Sequence, residues 1–171
     1  MGFFRKLLGK DRQRQPQISA PSAAAGDPAA IRYDPKLIET LHTHHAHLGA
    51  LFDRIGDSAR HGDSRKLHDL LATFKLSLNA HVLTENVRFY AYLEQALSDD
   101  AENTQIVVDF RHEMNSITRQ VRAFADRWSD ADMSNSDAQN RFLADYYQVG
   151  KLLERRLDSE EEQLFPLYQQ T

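Results

Sequence analysis

Apolar residues return every three or four positions along four stretches of this chain, and polar or capping residues bound each stretch. In the first, Leu37, Leu41, Leu48, Leu51 or Phe52, and Ile55 share one face, the spacing of an amphipathic helix. Asp34-Pro35 precedes it as an N-cap followed by an N1 proline, and Gly56 with Arg60-His61-Gly62-Asp63 is expected to end it. The second helix is expected from about Ser64 to Ala96, with Leu67, Leu71, Phe74, Leu78, His81, Glu85 and Phe89 inward. The third follows Ser98-Asp99-Asp100 and carries Val107, Phe110, Met114, Ile117, Val121, Phe124 and Trp128. After a polar loop at 129–137, the fourth is expected from about Ala138 to Gln169. Tyr146, Gly150, Leu153, Leu157, Glu160, Leu164 and Leu167 face in, and Leu152, Arg156 and Phe165 flank that row. No alternating strand pattern competes. Four such helices on short polar connections predict an all-α fold, an antiparallel up-down-up-down four-helix bundle over residues 34–171.

Two segments precede it. In residues 1–10, Phe3, Phe4, Leu7 and Leu8 fall on one side of a helix with Arg5 and Lys6 partly opposed. This is the pattern of a weak membrane-surface or docking segment, and equally of an ordinary frayed terminus. Lys6 stands where a myristoylation signal needs Ser or Thr. Residues 11–33 open with a run rich in Gln, Pro, Ala and Ser that lacks apolar periodicity, the composition of a flexible linker.

Charge separates the same parts. Residues 1–14 hold five basic residues against Asp11, a net of +4, while the 171-residue chain is −4, so the remainder carries −8. An acidic body disfavours nucleic acid, which needs a basic face. The absence of cysteine excludes disulfides, thiolate metal sites and cysteine nucleophiles. No apolar run is long enough to span a bilayer or to serve as a secretory core, and a cytoplasmic protein is the expectation.

The inward rows contain residues that a hydrophobic core does not want. His81 and Glu85 stand four apart on one helix face, where an imidazole and a carboxylate can hold one cation together. Glu160 belongs to the inward row of the fourth helix. The first carries Leu41-His42-Thr43-His44-His45-Ala46-His47-Leu48, in which His44 and His45 can face inward. Taken singly, each feature is as well explained by a hydrogen-bonded core histidine or a solvated stripe. Together, His45, His81, Glu85 and Glu160 share one depth across three helices, where bundles build cofactor sites, and nitrogen with carboxylate oxygen suits non-haem iron, manganese or zinc.

These residues resemble the hemerythrin-like, or HHE cation-binding, four-helix bundles. His45-Ala46-His47-Leu48, His81…Glu85…Phe89-Tyr90 and Glu160-Glu161…Leu164-Phe165-Pro166 are similar to the family's patterns on helices one, two and four. The resemblance implies a metal site with His45, His81, Glu85 and Glu160 as ligands. It also implies two departures: Arg156 stands where the fourth helix has His, and Met114 where the third has a ligand His. His112 does not replace it, lying about 200° round the helix from Met114. What survives is enough for a single cation. Two alternatives remain, one or two iron ions, or a metal-free cluster in which Arg156 bonds Glu85 and Glu160. That replacement, with Asn103-Thr104-Gln105, is faintly similar to the Rsd/AlgQ regulators of sigma factor.

Two function classes follow. One is a regulatory, partner-binding module on a degenerate metal site, placed slightly ahead, with a basic protein as its partner. The other is a non-haem iron sensor or store for oxygen, nitric oxide or iron. An enzyme is not expected, because no nucleophile stands near His81 and Glu85. Helices two and four also share a spacing, an ionisable pair followed by aromatics, that suggests a duplicated helix pair.

Overall fold

The computed structural model describes residues 31–170, and the readings made on residues 1–30 lie outside them. Among the described residues all regular structure is helical. Helix α1 spans Leu37–Arg60 and α2 spans Ser64–Thr84; a π turn at Glu85–Tyr90 then leads into α3, Ala91–Ala96. Helix α4 spans Ala101–Arg127 and α5 spans Ser136–Ser159, followed by a second π turn at Glu160–Leu164 and a 3-10 turn at Phe165–Leu167. Helix α1 packs on α2 and α5, and α4 packs on α5, α3 and α2, closing a four-membered bundle.

Caps explain most boundaries. The Asp63 and Asp100 carboxylates accept the Lys66 and Asn103 amides, and the Asn135 side chain accepts that of Asp137, each satisfying a donor that the first turn leaves free. Helix α1 starts two residues later than Asp34-Pro35 suggests. Asp34 instead makes a turn, its carboxylate accepting from Lys36 N and its carbonyl from Leu37 N. The domain also begins before 34. Ile31 exchanges two hydrogen bonds with the Gln95 side chain, and the Tyr33 ring stacks on Tyr168 at 5.0 Å, so residues 31–33 belong to the bundle rather than to a linker.

Gly56 does not end α1. The helix runs through it, and the position is glycine because a Cβ there would sit 2.6 Å from Cζ of Tyr146. Gly56 is a packing position, and the chain turns at Gly62, whose φ of 70° favours a residue without Cβ.

The inward rows of α1, α2, α4 and α5 are buried almost as the periodicity predicts. At one end Phe52, Phe74, Phe124, Phe142 and Tyr146 pack ring on ring, with Phe52 and Tyr146 stacked at 4.3 Å. At the other, Tyr33, Phe89, Tyr92, Phe165 and Tyr168 form a second aromatic layer. Fully burying each such ring contributes about 2–3 kcal/mol. The polar cluster sits between the two layers.

The π turns depart from a regular helix with a definite effect. Five residues along an α-helix rotate a side chain by about 140°, which would turn Tyr90 away from a core that holds Glu85. The wider turn brings Glu85, Phe89, Tyr90 and Leu93 inward together. After Glu160 the same device buries Leu164 and Phe165 and leaves Leu167, expected inward, only half-buried, with Tyr168 in the core instead. The Asn86 amide donates to the Val82 carbonyl, and Arg111 of α4 donates from Nε to Asn86 Oδ1, tying the first π turn to its neighbouring helix.

Candidate metal centre

Each site residue is placed by its helix. His45 projects from the middle of α1, His81 from the last turn of α2, Glu85 and Glu160 from the first positions of the two π turns, and Arg156 from the last turn of α5. The structure brings His45, His81, Glu85 and Glu160 into one group. One ligand atom from each lies within 4.8 Å of every other, and all four are buried. Met114 is buried on α4 and contributes its carbonyl oxygen, which accepts from Arg156 Nη1 at 3.2 Å. His112 is exposed.

Arg156 turns inward. Its Nη2 meets Oε2 of Glu85 and lies 2.8 Å from Oε1 of Glu160, and Nη1 also reaches Thr118 Oγ1 at 3.4 Å. The guanidinium therefore takes one oxygen from each carboxylate and leaves the other two facing the histidines. Oε1 of Glu85 is 2.9 Å from Nε2 of His81, and Oε2 of Glu160 is 3.4 Å from Nε2 of His45.

Those facing atoms are close without being aligned for hydrogen bonding. His45 Nε2, His81 Nε2, Glu85 Oε1 and Glu160 Oε2 are all buried with no hydrogen-bond partner. Orphaned polar atoms are strongly disfavoured in a core, and here four of them converge. Two imidazole nitrogens and two carboxylate oxygens in this arrangement fit a first-row transition-metal cation.

The charges of the cluster are coupled. Burial pushes Glu85 upward more than any one neighbour opposes it, but Arg156, His81 and His45 together outweigh it and hold the carboxylate below its usual range. Burial pushes Glu160 up, and the Glu85 charge adds to it against the pull of Arg156. Burial works against a charged His45, yet Glu160 and Glu161 raise it to about 9. Arg156 and a protonated His45 balance Glu85 and Glu160; a divalent cation in place of that proton would balance Glu161 as well.

Several neighbours quoted in these motifs were given no ligand role by sequence reasoning. The Glu161 carboxylate lies 2.9 Å from His45 Nδ1, the carboxylate–histidine pairing that fixes which ring nitrogen is free to bind. His42 lies 3.2 Å from the same oxygen. Tyr90 has a buried hydroxyl without a partner, which burial, Glu160 and Glu85 keep protonated. The legible signal for it was the aromatic five residues after a core glutamate. His44, half-buried, sits edge-on to His81 at 5.8 Å, and burial lowers its pKa. Against His81 and Arg156 lies a cavity of about 10 Å³, walled by Leu48, Leu78, Leu153 and Leu157, room for at most about one water-sized molecule.

Residues 36–168 match the hemerythrin HHE cation binding domain. No curated protein and no solved structure matches the chain. The family match adds no support to the likeness to the Rsd/AlgQ regulators. Among the described residues no helix is long and apolar enough to cross a membrane. With most of its length matched, the chain belongs to the hemerythrin HHE cation-binding family, whose domains bind metal cations.

Proposed function

We propose that this HHE-family domain holds a single transition-metal cation, iron in the first instance, between His45, His81, Glu85 and Glu160, and acts as a sensor or store rather than as a di-iron carrier. The observation that carries this reading is the convergence of four buried, unpartnered ligand atoms within 4.8 Å. Arg156 supports the number one. Its guanidinium occupies the side of the carboxylates where a second ion would have to bind, and Met114 offers it a carbonyl instead of a nitrogen ligand. Non-haem iron bound here would supply open coordination positions for a diatomic ligand. Around it the chain's own residues have separate tasks. His45 and His81 present nitrogens, Glu161 orients His45, Arg156 holds one oxygen of each carboxylate so that the other faces the histidines, and the small leucine-walled cavity lies beside His81.

Elemental mass spectrometry on untagged protein expressed with ample iron tests this. About one ion per chain is expected, falling well below that in Glu85→Gln and Glu160→Gln. A cooperatively folded wild-type chain with little metal would overturn the reading.

A second reading is a regulatory module that binds a protein partner without metal. Arg156 already neutralises much of the cluster, and α2 with its π turn exposes Leu76, Leu83 and Val87 on one outer face, an apolar stripe of the kind that marks interaction surfaces. Partner binding that survives Glu85→Gln with Glu160→Gln would favour it, and its collapse in a folded variant would count against it.

A further inference from the structure

Glu160 and Glu161 are consecutive, yet they meet the same imidazole at its two nitrogens. Glu160 Oε2 lies 3.4 Å from Nε2 of His45, and Glu161 Oε1 lies 2.9 Å from Nδ1. The same Glu161 oxygen is 3.2 Å from Nδ1 of His42, one turn earlier on α1. Exposure falls stepwise along these groups: His42 is 49% exposed, Glu161 28%, His45 5% and Glu160 1%. A polar path therefore leads from solvent to the buried cluster.

We propose that His42, Glu161 and the Nδ1 edge of His45 form an outer contact site through which a divalent transition-metal ion enters and leaves the buried cluster. This rests on the reading that the cluster holds one ion. The three ligand atoms lie within 4.8 Å of one another. Two imidazole nitrogens and one carboxylate oxygen suit a partly hydrated ion, with water completing its shell. A carboxylate at the mouth also raises the local cation concentration.

The chemistry of His45 makes this site a waypoint. A neutral imidazole has one lone pair to offer, at Nδ1 or at Nε2. An ion held at the outer edge and an ion held at the inner edge therefore compete for the same ring. Passage inward would exchange Nδ1 for Nε2: the Nε2 proton would be released to solvent and Nδ1, freed at the mouth, would take one up from water, after which Nδ1–H would donate to Glu161 and hold the ring in its binding orientation. Saturation stays at one ion per chain.

The test uses the full, metal-free chain mixed anaerobically with Fe²⁺, with uptake stopped at intervals by a chromophoric ferrous chelator. His42→Ala, at a half-exposed position, is expected to slow both uptake and release about tenfold, a loss on the scale of electrostatic steering. Equilibrium affinity and the stoichiometry of one should stay nearly unchanged, because His42 bonds only Glu161 and none of the four inner ligand atoms, and Glu161 keeps its own contact with His45 Nδ1. His42→Asp, which restores an oxygen ligand, should recover most of the rate. Uptake by His42→Ala at the wild-type rate overturns the outer site while leaving the one-ion reading intact. A second ion bound at equilibrium and lost in His42→Ala overturns the waypoint in favour of a second store. A wild-type chain that retains no iron overturns both.

Discussion

Replacing Arg156 by Leu in the cation-free protein isolates what the guanidinium contributes. It meets both buried carboxylates and donates to the Met114 carbonyl and the Thr118 hydroxyl. Leucine fills the space of the stem but leaves Glu85 and Glu160, at 2% and 1% exposure, with only imidazoles for partners. The easiest relief is a proton on one carboxylate. At pH 7 a carboxyl with the ordinary value of 4.5 takes up that proton at a cost of about 3.4 kcal/mol, from 1.36 kcal/mol per unit. The stranded Met114 and Thr118 acceptors add about 1 kcal/mol. The expected loss is therefore about 3–5 kcal/mol, the range seen when one partner of a buried ion pair is removed. It should shrink by about 2–3 kcal/mol at pH 5, where the proton is nearly free to bind, and a divalent cation should restore much of it by supplying the missing charge. Urea unfolding followed by circular dichroism, with chelator at both pH values, measures this provided the slope is unchanged. A loss below about 1 kcal/mol at pH 7, or one equal at the two pH values, would refute the argument.

Other outcomes follow from other parts of the molecule. His45 is raised from 6.5 to about 9, so its contribution to the cation-free fold is complete below pH 6.5 and is lost as pH rises to 9. The loss is at most about 3.4 kcal/mol, and a urea midpoint that stays flat over that window would contradict it. Gly56→Ala gains about 1 kcal/mol of helix preference. It also drives a methyl to 2.6 Å from a Tyr146 ring already stacked on Phe52, and overpacking of this kind costs about 1–3 kcal/mol. A lowered melting temperature is expected, and a raised one would show that the ring yields. Met114→His combined with Arg156→His should raise bound iron from about one to about two ions per chain and add visible absorption; unchanged iron would mean that the pocket has repacked around the arginine.

Much of this was legible because a helical core row is a simple code. His81, Glu85 and Glu160 sit in step with Leu78, Phe74, Leu157 and Leu153, so the spacing that buries the leucines also buries them. His45 follows Leu41 by one turn in the same way. The inward turn of Arg156 was not legible, since a long side chain flanking a row can reach either water or the core. Gly56 was misleading for a related reason: its missing side chain answers to Tyr146, ninety positions away. The π turns were hidden because the apolar spacing does not mark them, and the bond from Arg111 of α4 to Asn86 that ties the first one in place is a tertiary contact. The His42–Glu161 contact was hidden because it joins α1 to a segment whose phase the second π turn has already altered.

That altered phase has a consequence for how this chain is compared with others. Each π turn behaves like one inserted residue absorbed without a break, so the helix has one reading frame before the glutamate and another after it. An alignment that keeps a constant helical period past Glu85 pairs Tyr90 and Leu93 with outward positions of a relative. One that does so past Glu160 exchanges the roles of Phe165 and Leu167. A homologue lacking one residue just after either glutamate would match this chain in space only if a gap is placed inside the helix, where alignment practice resists putting one.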